Sequence, residues 1–129
     1  MKTKANLSCI KVLEKNQWYD IAVSRSYYYV YQNLIKYVEK NGWEKDVKDY
    51  REKYKRGSHE GTFEYIFEQL LKIKDSTLMT ELSTFFSKLK DDRCDADYKM
   101  YRQFNKGSFD ISQENFKKVV AILEKIEVI

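Results

Sequence analysis

The chain holds no proline and only four glycines among its 129 residues. Proline ends or kinks helices, and glycine supplies the turns that hairpins need while weakening helix interiors. A sheet-rich domain of this length needs more of both, so the expectation is a few long helices joined by short loops. The length fits one domain with one hydrophobic core and no metal or disulfide staple. Hydrophobic residues at 43% and charged residues at 34% mark a globular sequence, not a disordered one.

Helix punctuation falls at Asn16-Gln17, Asn41-Gly42, Lys55 to Ser58, Asp75-Ser76 and Asn105 to Asp110, and between these points apolar residues recur at helical spacing. A short helix is expected over about residues 4–15, with Leu7, Ile10 and Leu13 on one face. The second runs from about Trp18 to Lys40, with Val23, Tyr27, Val30, Tyr31, Leu34 and Val38 as a wide apolar stripe. Asn41-Gly42 reads as its left-handed stop. A charged surface helix covers about 43–54. The fourth starts near Ser58 as N-cap, with Phe63, Ile66, Phe67, Leu70 and Ile73 as its stripe. The fifth runs from about Ser76 to Tyr101 with Leu78, Leu82, Phe85, Phe86 and Leu89 inward. The last opens at Ser112 as N-cap and shows Phe116, Val119, Val120, Leu123 and Ile126. The expected fold is all-α, an up-and-down bundle of about five or six helices.

Cys9 and Cys94 lie far apart in sequence with no metal-ligand spacing, and they read as reduced thiols of a cytoplasmic protein. The first ten residues lack the apolar run of a signal peptide, and no stretch approaches the roughly 18 apolar residues of a spanning helix. The net charge is +4. Residues 1–60 carry 13 Lys and Arg against 8 Asp and Glu, whereas residues 61–129 carry 11 against 12. A mild basic bias is compatible with phosphate contacts and equally with an ordinary lysine-rich surface.

Three polar residues sit where they need an explanation. Arg93 continues the inward line Leu82, Phe86, Leu89. A buried guanidinium must find an anion or reach water. One solution is a structural pair with Asp97 one turn later, and the other is a cleft that receives a phosphate. The phosphate solution requires that the Arg93 charge is not already neutralised inside one monomer. Arg25 lies opposite the stripe of its helix, near Tyr28 and Tyr29, on a second face that suits a central helix, a dimer contact, or a grip on a base and phosphate. His59, the single histidine, continues an inward line four residues before Phe63. It can be a hydrogen-bonded structural residue, or a phosphate contact or acid/base near Arg93. No Gly-rich phosphate loop, zinc pattern or serine elbow occurs, and nothing calls for a metal or cofactor. The aspartates at 91, 92, 95 and 97 read as a solvated acidic segment with one inward member.

Two motifs in order resemble a known family. The run Ala22-x-Ser24-Arg25-x-Tyr27-Tyr28-x-x-Tyr31 resembles the A-x-S-R-x-Y-Y-x-x-Y/F helix of prokaryotic HEPN domains. Leu89-x-x-x-Arg93-Cys94-Asp95-Ala96-Asp97-Tyr98 resembles their L-x-x-x-R-x-x-A-D-Y signature. Between them, Ser58-His59-Glu60-Gly61 and the segment from Phe63 to Leu70 resemble the family's short third-quarter helix, and the Ser112-Gln113-Glu114 helix completes the order. The resemblance covers about residues 5–127. It implies a four- to five-helix up-and-down bundle that commonly forms homodimers. It also implies a place in toxin–antitoxin or other defence systems, as a ribonuclease, a nucleotide binder or a partner of a nucleotidyltransferase.

Ribonuclease members pair an arginine with a histidine about four to six residues later, for phosphate stabilisation and proton transfer. Arg93 matches that arginine, but no histidine follows it, and Asp97 and Tyr98 stand in the region instead. A carboxylate there repels a scissile phosphate, and an ordinary tyrosine, with a pKa near 10, is a poor base at neutral pH. Three functions follow from this pattern. The first is a nucleotide- or RNA-binding module using Arg25, Tyr28, Tyr29, His59 and Arg93. The second is a metal-independent endoribonuclease using Arg93 with His59, Asp97 or Tyr98. The third is a structural helical adaptor for a nucleotidyltransferase-like partner.

Overall fold

The computed structural model describes residues 2–98 and 103–129. Within them the chain forms six helices and no strand: α1 (Lys2–Lys15), α2 (Tyr19–Asn41), α3 (Glu44–Tyr54), α4 (Ser58–Leu71), α5 (Ser76–Tyr98) and α6 (Lys106–Lys125). The all-α expectation holds. The expected reach of the fifth helix beyond Tyr98 falls outside the described residues. Among the described residues no helix is long and apolar enough to cross a membrane.

Local chemistry accounts for most helix ends. Gln17 has φ 61°, and the Trp18 N–H donates to the Leu13 carbonyl, so the chain reverses sharply between α1 and α2. Gly42 closes α2 at φ 67°, and the next amide, Trp43, reaches back to the Val38 carbonyl. A glycine adopts this left-handed cap without the Cβ penalty. Lys55 closes α3 in the same conformation, without a glycine's freedom.

Three expectations at helix boundaries are corrected. Gly57, in an extended conformation, is the N-cap of α4, so Ser58 is its first helical residue and no side chain caps the start. Ile73 lies past the end of α4 and is 73% exposed. The N-cap of α6 is Asn105, seven residues before Ser112. The Asn105 side chain accepts from the Ser108 N–H at 2.8 Å, and the Ser108 hydroxyl accepts from the Asn105 N–H at 3.0 Å. That reciprocal box satisfies two orphan donors at once. Ser112 is instead fully buried inside the helix.

Helix α2 packs against every other helix. Its stripe is the centre of the core, with Val23, Tyr27, Val30, Leu34 and Val38 all buried. Ile66 and Leu70 of α4, Met79, Leu82, Phe86 and Leu89 of α5, and Phe116, Val119 and Leu123 of α6 close around it. A second cluster of Leu13, Ala22, Val23, Phe104 and Phe109 joins α1, α2 and α6. Leu7, expected inward, is 41% exposed, where it lines an open cleft between α1 and α6. Asp20 accepts from the Phe104 N–H at 2.6 Å, tying the approach to α6 onto the start of α2.

Candidate functional site

The inward line of α5 delivers Arg93 to the seam where α2, α4 and α5 meet. Its side chain is 11% exposed. Nη2 donates to the Tyr28 hydroxyl at 2.9 Å, and Nη1 reaches the Cys94 Sγ at 3.9 Å. Nε lies 3.1 Å from an Asp97 carboxylate oxygen. Its N–H is not aligned with that oxygen, so the contact compensates charge without completing a hydrogen bond. The guanidinium carbon also sits 5.1 Å from the Tyr27 ring, 5.3 Å from Tyr28 and 5.5 Å from Tyr98. Burial disfavours its charged form, but the Tyr28 hydroxyl and its other neighbours outweigh that, so Arg93 stays firmly protonated.

His59 reaches the same seam from the first turn of α4. Its Nδ1 is 2.9 Å from the Tyr27 hydroxyl. Burial pushes the Tyr27 phenol well above its usual range, so this hydroxyl keeps its proton and pairs with Nδ1 as donor or acceptor according to the imidazole tautomer. The ring stacks on Tyr31 with centroids 3.9 Å apart and meets Tyr28 edge-on. Burial, then Arg93 and Lys90, lower the His59 pKa from its ordinary value. His59 is thus hydrogen-bonded to Tyr27 and stacked on Tyr31, within electrostatic reach of Arg93.

The structure therefore brings Arg93, Tyr28, His59, Asp97 and Tyr98 together, the last being 71% exposed. It does not bring in Tyr29, which packs edge-on against Phe116 of α6 at 5.7 Å, on another side of α2. Arg25 is exposed and shares no hydrogen bond, ion pair or ring contact with the cluster among the described residues. Tyr27, Tyr31 and Lys90 join the site without having been singled out. The two tyrosines read as core positions in the α2 stripe, and only the docking of α4 turns them toward a histidine.

Electrostatically, the seam holds one buried cation compensated by one carboxylate of the same chain. The condition that the Arg93 charge be uncommitted inside a monomer is not met. A phosphate entering here would have to displace Asp97, which is 23% exposed at its side chain. Among the described residues no group of three or more His, Cys, Asp or Glu side chains is placed to hold a metal ion. No family model, no curated protein and no solved structure matches this chain.

Proposed function

We propose that this chain is a non-catalytic helical adaptor of the HEPN kind, and that its arginine network fixes the packing of α2, α4 and α5 instead of gripping a substrate. One observation carries this reading: Asp97 compensates the Arg93 charge and Tyr28 takes its hydrogen bond within a single chain. The endoribonuclease reading has the weakest support, because Asp97 already occupies the Arg93 charge and His59 is stacked on Tyr31 with Nδ1 engaged by Tyr27. The resemblance names the partner class as a nucleotidyltransferase-like protein, and homodimerisation belongs to the same proposal.

A second reading, nucleotide or RNA binding, has one observation in its favour. Three basic or aromatic grips from three helices (Arg93, His59 and Tyr28) converge, and the Arg93 Nε–H has no aligned acceptor. The two readings differ sharply on Asp97. Titration of the full chain with nucleotides and a short single-stranded RNA should show no Arg93-dependent binding. If Asp97 instead competes with a phosphate, Asp97→Asn tightens binding several-fold and Arg93→Ala abolishes it, and the adaptor reading fails. Where a neighbouring gene encodes a nucleotidyltransferase-type protein, co-expression should yield a complex that survives joint replacement of Arg25 and Arg93 by alanine.

A further inference from the structure

A second guanidinium, that of Arg51 near the end of α3, lacks any such partner. It is partly buried, its Nε is shielded from solvent, and it makes no hydrogen bond or ion pair among the described residues. Its aliphatic stem lies flat on α4 at Gly61, where a methyl group would collide with Cγ. A pocket of about 190 Å³ opens beside it, lined by the polar side chains Arg51, Lys48, Ser58 and Thr62, by the acidic Glu39 and Glu44, and by Tyr31 and aliphatic side chains of α2 and α3. Thr62 is 3% exposed, lines this pocket and has no hydrogen-bond partner for its hydroxyl among the described residues. The first turn of α4 abuts the same space, and no side chain caps it. Its amides carry the partial positive charge of a helix start.

The unpaired Arg51 guanidinium, the Thr62 hydroxyl at the pocket wall and the uncapped start of α4 are all donors, and no side-chain acceptor of the described residues is bonded to any of them. One tetrahedral oxyanion would satisfy all three. We infer that this pocket binds a single phosphate group, with Arg51 as its charge partner and Thr62, Ser58 and the α4 amides as its hydrogen-bond donors. The volume equals that of about six waters at ~30 Å³ each, enough for a phosphate group but not for an enclosed nucleoside. Glu39 and Glu44 in the pocket wall oppose any anion there, so binding depends on Arg51 and Lys48 to offset them. The inference rests on neither reading of Arg93.

The test is a titration of the full chain with inorganic phosphate, followed by amide NMR shifts at constant ionic strength. A second arm uses a nucleoside 5′-monophosphate, which separates free phosphate from a terminal phosphate on a larger ligand. Saturable shifts are expected at Ser58, His59 and Glu60, with at least one arm saturating in the millimolar range. Arg51→Gln should weaken binding at least tenfold, and Gly61→Ala should weaken it by displacing the arginine stem. Ser58→Glu places a carboxylate in the pocket, so it should raise the melting temperature and abolish the phosphate response. Non-saturating shifts spread over surface lysines, or a phosphate response unchanged in Ser58→Glu, would overturn the proposal even if Arg51→Gln failed to fold.

Discussion

A guanidinium that leaves water must recover its solvation from its neighbours. Arg93 does so from Asp97, the Tyr28 hydroxyl and three aromatic faces. Arg93→Ala should therefore destabilise the fold by about 1–3 kcal/mol, below the range for a fully buried pair because Asp97 is part-exposed. Asp97→Asn should lose only about 0.5–1 kcal/mol, and urea midpoints at constant m-value measure both. His59 gives a pH signature. Folded, its imidazole binds a proton less readily than in the unfolded chain, where its value is 6.5. The unfolded state therefore takes up the proton first as pH falls, so this contribution is full above about pH 6.5 and is lost below it. The groups facing the ring are Tyr27, Tyr28 and Tyr31 from α2 and Lys90 and Arg93 from α5. Denaturation at pH 7 and pH 5.5 should show the wild type losing stability across that interval and His59→Phe losing less.

Helix starts show how local chemistry competes with pattern. Both Asn105 and Ser112 are good N-cap residue types, and a serine before a clean apolar stripe is the more conspicuous of the two. The structure selects Asn105 because its box with Ser108 satisfies donors at each position, while Ser112 continues the face buried against α2. Asn105→Ala should cost about 1 kcal/mol. Ser112→Ala should be neutral or stabilising, because its buried hydroxyl has no hydrogen-bond partner. Thermal melts of the two variants distinguish the starts directly; a large loss from Ser112→Ala would restore the later one.

Across the whole molecule, stability depends on one helix serving five neighbours. Leu34 of α2 is 1% exposed within the main core. Leu34→Ala should lose about 2–5 kcal/mol, the range for a cavity in a close-packed interior, read as a lowered denaturant midpoint with one cooperative transition. The absence of proline, the 3.6-residue spacing of apolar side chains and the Asn41-Gly42 stop were enough to determine an all-helical chain and most of its segments, because those rules act over a few residues. The Arg93–Asp97 pair was legible for the same reason, as both ends lie one turn apart on α5. Contacts between distant segments were not legible. Tyr27 meeting His59, Tyr29 turning to Phe116 and Arg51 lying across Gly61 each depend on how helices cross. Packing angle and register are set by the sum of many side-chain volumes, so only the assembled bundle decided which polar groups found partners and which were left without one.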